Sequence, residues 1–315
     1  TDDSGHYQIW LIINLDQTNE WEVTGEIQQC VYELPWQNQS REIVKRWCVI
    51  EEASSGDALQ ITDQSFQWNK LLLILICMVT ARNAAMAFNR YLDRDIDAQN
   101  PRTAMRDIPV GKISASNALL FTIANCFVFI VATYFINTLC FYLSFVALFV
   151  VLFYSYTKRF TPLCHLVLGV GLGLAPIGAY LVVTNSFALI PIFYGIAVMC
   201  WSGGFDIIYA LQDEEFDREN GLNSIPAYFG GEGALRISRV LHVISFIFVL
   251  LPAFYMPVSW LYYTGVIFYG SLLIYQHRIV SPTDLSRVDR AFMTTNGIAS
   301  VIFAIFYLLD IVFLV

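Results

Sequence analysis

The chain has 315 residues, of which 57% are hydrophobic and only 14% are charged. Soluble globular domains carry about 25% charged residues, so this composition excludes an ordinary soluble domain and predicts an integral membrane protein. The formal net charge is −8, but that total mixes loops with membrane segments and identifies no partner, and no nucleic-acid partner is predicted. Most cysteines fall inside apolar runs without metal-ligand spacing, so neither a disulfide framework nor a zinc site is indicated.

Residues 1–68 differ in kind from the rest of the chain. They hold five of the 7 tryptophans and contain no apolar run near the ~20 residues that a spanning helix needs. Local alternation of polar and apolar residues at 8–14 and 21–32 favours short strands. We therefore separate an atypical polar segment of unknown role, residues 1–68, from a transmembrane domain over residues 69–315.

From Lys70 onward, apolar runs long enough to cross a bilayer follow one another. They cover residues 70–89, 115–135, 139–157, 163–183, 188–211, 238–256, 258–276 and 291–314. The predicted fold class is therefore all-α, a polytopic transmembrane bundle with eight visible spans. The connections alternate in character, and 13 of the 18 Lys and Arg residues, from Arg90 to Arg290, lie on the charged side. The positive-inside rule makes that face cytoplasmic.

Two clusters of carboxylates close apolar segments on this face. Asn89, Asp93 and Asp97 are spaced by four residues, which places them on one face of a helix. The second cluster consists of Asp206, Asp213 and Asp217, which also share one helical face, and Tyr209 lies on the adjacent face of the same helix. Like charges this close repel one another and need a cation. Mg²⁺ prefers carboxylate oxygens and is commonly completed by substrate phosphates, so the clusters indicate magnesium.

A single cluster is equally typical of a solvated loop at the end of a helix. The two clusters, however, share a pattern, because each Asp-xxx-Asp pair leads to an Ile-Pro step, at Ile108-Pro109 and at Ile225-Pro226. The two occurrences are four spans apart. This spacing predicts two four-helix pseudo-repeats around a central cavity, with both clusters on the same face.

These residues resemble the two aspartate motifs of the UbiA superfamily of intramembrane prenyltransferases. The matching elements are Asn89-xxx-Asp93-xxx-Asp97 with Asn100-Pro101-Arg102-Thr103, the Tyr-xxx-Lys element at Tyr154-Ser155-Tyr156-Thr157-Lys158, and Asp213-xxx-Asp217 before Gly221 and Pro226. The resemblance runs from about Phe66 to the C-terminus and is closest to 4-hydroxybenzoate polyprenyltransferases and their menaquinone-pathway relatives. The family pattern has nine helices, and its first span is not recognised in residues 1–65.

The resemblance implies transfer of a polyprenyl group from polyprenyl diphosphate to an aromatic acid, 4-hydroxybenzoate or a related acceptor, in ubiquinone or menaquinone biosynthesis at a bacterial inner membrane. The implied Mg²⁺ ligands are Asp93, Asp97, Asp213 and Asp217, with Asn89 as a neutral ligand or orienting group. Lys158, helped by Arg102 or Arg106, would neutralise the departing diphosphate. Asp206 or Tyr209 would take or orient the phenolic proton, or serve only as a supporting hydrogen-bond partner. Haem, chlorophyll and naphthoate acceptors stay open.

Three further features lie inside the apolar runs. Arg82 precedes Asp93 by 11 residues, roughly 15 Å along a helix, and is expected to pair with the aromatic carboxylate or with an internal acid. Gly169-xxx-Gly173 indicates close helix packing rather than a phosphate loop. His165 and His242 have no metal-ligand neighbours and are interpreted as structural.

Two other functions compete with prenyl transfer. A transporter would use intramembrane carboxylates to relay ions, but its site would lie near the bilayer midplane, whereas these carboxylates lie at helix ends beside basic loops. The second alternative is an inactive prenyltransferase remnant that lacks the family's first helix. The sequence does not determine the oligomeric state.

Overall fold

The structure, a computed structural model, describes residues 67–314. Its helices are α1 (Trp68–Leu92), α2 (Arg94–Gln99), α3 (Ala115–Tyr134), α4 (Thr138–Thr157), α5 (Cys164–Thr184), α6 (Leu189–Ala210), α7 (Glu214–Glu219), α8 (Ile225–Leu250), α9 (Trp260–Ile279) and α10 (Asn296–Leu314). Short 3₁₀ turns follow α6 and α8, and a π-helical turn, Arg290–Thr295, precedes α10. The described residues contain one isolated β-bridge and no strand, which confirms the all-α class.

Eight of these helices are long, and seven are long and apolar enough to cross a membrane. The exception is α9, whose tyrosines and the terminal Gln276-His277-Arg278 lower its hydropathy. The polytopic helical architecture is thus confirmed for the described residues, while the eight spans and the two pseudo-repeats stay predictions. The strands predicted at 8–14 and 21–32 lie outside the described residues. So does the polar segment predicted over residues 1–68, apart from its last two residues, of which Trp68 begins α1.

Helix α8 begins at Ile225, well before the predicted start at residue 238. Ser224 caps it by accepting a hydrogen bond from the Ala227 N–H at 3.3 Å, and Pro226 occupies the first turn, where a missing N–H is tolerated. Gly230 then interrupts the helix with φ +71°, a conformation that glycine adopts without steric penalty. The first half of α8 escaped prediction because glycines and charged residues lower its hydropathy.

Helices α5 and α6 pack backbone to backbone. A Cβ atom added at Gly169 would lie 2.4 Å from the Met199 carbonyl oxygen, and one at Gly173 would lie 2.5 Å from that of Gly195. Such small residues let membrane helices approach closely, so the packing role predicted for these glycines is confirmed. Because α6 also packs against α8, the helix that ends at the second acidic cluster is central among its neighbours.

Buried Asp310 on α10 caps the start of α9. Its Oδ1 accepts hydrogen bonds from the Ser259 N–H at 2.8 Å and the Tyr262 N–H at 3.2 Å, and Asp310 is only 1% exposed. The first N–H groups of a helix lack partners within the helix, and a carboxylate there also meets the positive end of the helix dipole. Asp310 therefore ties α10 to α9.

Candidate active site

The two acidic stretches fold into corners of the same kind. Asp93, with φ −91° and ψ 6°, links the end of α1 to the six-residue helix α2. Asp213, with φ −107° and ψ 6°, links the 3₁₀ turn after α6 to the six-residue helix α7. Asp97 and Asp217 each occupy the fourth position of the short helix. The helix that was predicted to run unbroken through Asn89, Asp93 and Asp97 is therefore interrupted at Asp93.

Each carboxylate predicted to bind metal lies against a cationic side chain. Asp93 pairs with Arg159 (2.9 Å), Asp97 with Arg106 (2.6 Å), Asp217 with Lys158 (2.7 Å) and Asp213 with Arg102 through a two-pronged ion pair. The mutual repulsion of the carboxylates is offset in this way by four local cations.

Asn89 donates from Nδ2 to Asp93 Oδ2 at 2.8 Å, so it lies beside the carboxylate that it was predicted to support.

The two clusters meet across one cavity. Asn100 Nδ2 and Arg102 Nε, which follow the first cluster, both donate to Asp213 Oδ1 at 2.9 Å. Arg102 Nη1 also donates to the Tyr209 hydroxyl at 2.9 Å, and its guanidinium lies 5.0 Å from the centre of the Tyr209 ring. Residues more than 100 positions apart in the chain therefore share one hydrogen-bond network.

The cavity between the clusters has a volume of about 220 Å³. The predicted site residues that line it are Asn89, Asp93, Asp97, Arg102, Arg106, Lys158, Asp206, Tyr209 and Asp213. Asp217 is 0% exposed and lies behind Lys158 rather than on the cavity wall. Arg82 is exposed on α1, does not line the cavity, and has no ion-pair or hydrogen-bond partner among the described residues, so the structure does not bring it to the site.

The electrostatic balance differs between the two corners. Burial raises the pKa of Asp93 above its usual value, and the opposing charge of Arg159 only partly offsets this effect. Burial of Arg102 favours its neutral form, but the hydrogen bonds and charge of Asp213 outweigh burial and hold the pKa of Arg102 above its usual value. Arg102 is thus a fixed cation, whereas ionised Asp93 is under-compensated and favours an additional positive charge.

Unpartnered oxygens at the site fit a hard cation. Asp97, which lines the cavity, has a buried Oδ2 without a hydrogen-bond partner among the described residues. Both oxygens of Asp217 are also buried without such a partner, but Oδ1 pairs with Lys158 Nζ at 2.7 Å, so a cation in the cavity reaches Asp217 only when Lys158 moves aside. Carboxylate oxygens of this kind are the ligands that Mg²⁺ prefers. No three Asp, Glu, His or Cys side chains among the described residues converge closely enough to hold a metal by themselves. These oxygens therefore fit a Mg²⁺ ion of the common kind whose coordination shell is completed by phosphate oxygens of a substrate.

The remaining candidate residues take different positions in the cavity. His165 Nδ1 lies 2.7 Å from Asp206 Oδ2, and both residues line the cavity. The Tyr209 ring stacks on Phe292 with ring centres 4.2 Å apart. His165, which was interpreted from the sequence as structural, is therefore part of the site wall.

Sequence reasoning missed three residues at the site, Asn100, Arg159 and His165. Asn100 belongs to the quoted motif but was given no role, although it contacts Asp213. Arg159 directly follows Lys158, and this adjacency of two cations was the available signal. For His165 the only signal was a polar side chain in the first turn of an otherwise apolar helix.

An apolar cavity of about 190 Å³ is lined by residues of α1, α3, α4 and α5 and lies next to the site. It begins near Val151 on α4 and Gly171 on α5, about one turn from Tyr154 and Leu168, which line the polar cavity. Along α4 it reaches Cys140, a length of roughly 16 Å at the rise of an α-helix. The polar site thus adjoins an elongated apolar space.

The chain matches the UbiA prenyltransferase family over residues 54–298. It belongs to the UbiA prenyltransferase family. It is 28% identical over 235 residues to the 4-hydroxybenzoate octaprenyltransferase of Francisella tularensis subsp. mediasiatica strain FSC147, a match that covers 75% of this chain and 82% of the relative. The corresponding enzyme of Aeromonas salmonicida strain A449 is 28% identical over 233 residues, with 74% and 80% covered. This protein is therefore an integral membrane prenyltransferase.

Solved structures of the family share the fold. The apo structure of a UbiA homologue from Aeropyrum pernix K1 aligns with a TM-score of 0.70 and 30% identity, covering 78% of this chain and 91% of that one. A UbiA homologue from Archaeoglobus fulgidus bound to DMAPP and Mg²⁺ aligns with a TM-score of 0.52 and 21% identity, covering 76% and 88%. The helical arrangement described above is thus that of the UbiA family.

Proposed function

We propose that this protein transfers a polyprenyl group from polyprenyl diphosphate to an aromatic acid, 4-hydroxybenzoate or a related acceptor, in quinone biosynthesis. The observation that carries the proposal is the pairing of a polar cavity, walled by carboxylates and cations, with an apolar cavity one helical turn away. A polyprenyl diphosphate has the same division into a charged head and an apolar chain. The names of the Francisella and Aeromonas relatives support the choice of acceptor.

The cations of the cavity would bind the diphosphate. Arg102, Arg106, Lys158 and Arg159 present N–H donors to the same space, and charge-assisted hydrogen bonds to phosphate oxygens are strong. Because each of these cations is already held by a carboxylate, it is oriented before the substrate arrives. Preorganised donors of this kind stabilise the negative charge that develops on the leaving diphosphate.

The carboxylates would hold the metal. Asp93, Asp97, Asp213 and Asp217, with Asn89 beside them, would bind Mg²⁺, which when bound supplies Lewis-acid neutralisation of the diphosphate. The DMAPP and Mg²⁺ bound to the Archaeoglobus homologue support this choice of ion. Arg82 has no role in the mechanism, because it is exposed outside the cavity.

The prenyl chain would occupy the apolar cavity, whose lining of four helices contacts its isoprene units, and the allylic carbon would lie where the two cavities adjoin. The aromatic acceptor would enter the polar cavity on the side of Asp206 and Tyr209, one of which takes or orients its phenolic proton as the ring carbon attacks. The concentration of Lys and Arg on the site side supports an active site at the cytoplasmic face of a bacterial inner membrane.

The test uses membranes that contain the full chain, radiolabelled polyprenyl diphosphate and a panel of aromatic acids that includes 4-hydroxybenzoate and a naphthoate. We expect label to enter one acid in the presence of Mg²⁺ and not after addition of EDTA. Incorporation that survives chelation would contradict the metal assignment, and failure with every aromatic acid would contradict the proposed acceptor class.

A further inference from the structure

We propose that His165 is a positioning residue that fixes Asp206 as the hydrogen-bond acceptor for the hydroxyl group of the aromatic acceptor. The inference rests on the proposed function. Asp206, rather than Tyr209, then accepts the phenolic proton, and a histidine outside the aspartate motifs holds Asp206 in place.

Asp206 differs from the other carboxylates of the site. The four aspartates of the two motifs each lie against an arginine or lysine, whereas the partner of Asp206 among the described residues is His165, at 2.7 Å. A carboxylate that pairs with an arginine or lysine has an oxygen engaged by that cation. Among the described residues no arginine or lysine engages Asp206, so Asp206 is the site carboxylate available to accept a proton from a neutral ligand.

The environment of His165 fixes the position of its proton. The N–H of Ile225, at the start of α8, points at His165 Nε2 from 3.4 Å, and this N–H has no partner within its own helix. Nε2 therefore accepts, the ring proton is assigned to Nδ1, and Nδ1 donates to Asp206 Oδ2. His165 and Ile225 are 4% and 2% exposed, so packing holds the ring in this orientation.

The arrangement leaves one oxygen of Asp206 for a ligand. Oδ2 is occupied by His165, Oδ1 accepts no hydrogen bond from the described residues, and the side chain is 24% exposed to the cavity that it lines. Tyr209 is engaged differently, because its hydroxyl accepts from Arg102 and its ring stacks on Phe292. The Tyr209 hydroxyl is thus already held by Arg102, whereas Asp206 keeps an oxygen free for the acceptor.

The proton balance of the transfer follows from this placement. As the allylic carbon leaves the diphosphate oxygen, which keeps the bonding electron pair, the ring carbon beside the hydroxyl donates a pair to that carbon. The hydroxyl proton moves to Asp206 Oδ1, which leaves a neutral dienone. The proton on the attacked ring carbon then passes to water, and the carbonyl oxygen recovers a proton from Asp206. The net products are the prenylated phenol, diphosphate and one proton.

The test compares His165→Leu with His165→Asn in the membrane assay, with His242→Asn as the matched control. Asn carries an N–H donor near the position of Nδ1, whereas Leu fills space without donating. His242 is also a buried histidine, but it bonds to the Trp201 carbonyl and to His277 and lies outside the cavity. Thermal unfolding of each purified variant checks that the variant is folded before its activity is compared with that of the wild type.

We expect His165→Leu to lower kcat about 100-fold, within the range of general-base effects, with little change in the KM for polyprenyl diphosphate. His165→Asn should have a kcat at least tenfold higher than that of His165→Leu, and the kcat of His242→Asn should stay near that of the wild type. Equal impairment by Leu and Asn, a His165→Leu variant within about twofold of wild type, or a loss confined to the KM for the diphosphate overturns the inference. A wild-type protein that prenylates no aromatic acid overturns the proposed function first, so the two failures are distinguishable.

Discussion

Substitutions in the ion pair between Lys158 and Asp217 should change the stability of the protein separately from its activity. Asp217 is 0% exposed, and its only cationic partner among the described residues is Lys158, 2.7 Å away, whose side chain is 34% exposed. In Lys158→Met the carboxylate stays buried without its partner. Breaking a buried pair in this way costs about 3–5 kcal/mol.

The partial exposure of Lys158 lowers the expected value, because water can enter the space that the ammonium group vacates. We therefore expect a loss of about 2–3 kcal/mol in the free energy of unfolding. At an unfolding entropy of about 2.1 cal/mol/K per residue, a chain of 315 residues loses about 1.5 °C per kcal/mol, so Tm should fall by roughly 3–5 °C. The double variant Lys158→Met/Asp217→Leu removes the buried charge as well and should recover most of the lost Tm without recovering prenyl transfer.

Thermal unfolding in detergent, followed by intrinsic fluorescence, measures the effect. Lys112→Met is the matched control, since Lys112 lies 3.8 Å from Asp107 with both side chains well exposed, and such pairs contribute little. An unchanged Tm in Lys158→Met, or a double variant no more stable than the single one, would refute the assignment of Asp217 as a buried charge that depends on Lys158.

Three further predictions concern the chain-binding space, the metal and the α9 cap. Gly178→Leu should abolish transfer from long-chain prenyl donors but keep transfer from short-chain donors, because a side chain at Gly178 enters the apolar cavity without a clash. The control Gly297→Leu is equally free of clashes but lies outside that cavity, so it should leave the chain-length preference unchanged. Thermal shift by Mg²⁺ should shrink as pH falls through the raised pKa of Asp93, since protons then compete with the metal; a shift that grows on acidification would contradict this. Asp310→Ala should lower Tm by removing the cap of α9, with a loss of about 1–3 kcal/mol; an unchanged Tm would show that the cap contributes nothing.

Hydropathy and motif spacing predicted the membrane class and most helix positions, because long apolar runs are a strong local signal. The sequence also indicated which residues meet at the site, since an even number of spans between Asp93 and Asp213 returns the chain to the same face. The start of α8 was missed, because a serine cap and a proline, rather than an apolar run, begin that helix. Local pattern and chain topology thus carried most of the correct predictions.

The partners inside the site were not predictable. The contact of Arg102 with Asp213, that of His165 with Asp206, and the burial of Asp217 behind Lys158 all depend on how neighbouring helices are rotated against each other. Arg82 illustrates the converse case. A charge deep in an apolar helix is normally directed inward, and only the orientation of α1 showed that this one is exposed outside the cavity.

The central claim, that the two aspartate corners act together on one diphosphate, is tested most directly by single Asp→Asn changes in both corners. The assay measures kcat for prenyl transfer at saturating Mg²⁺ in Asp93→Asn, Asp213→Asn and the control Asp107→Asn, whose carboxylate lies on an exposed loop. We expect each corner variant to lose at least about 100-fold in kcat, as for the removal of one preorganised stabilising group, and the control to keep the wild-type rate. Wild-type turnover in either corner variant, with Tm unchanged, would contradict the claim.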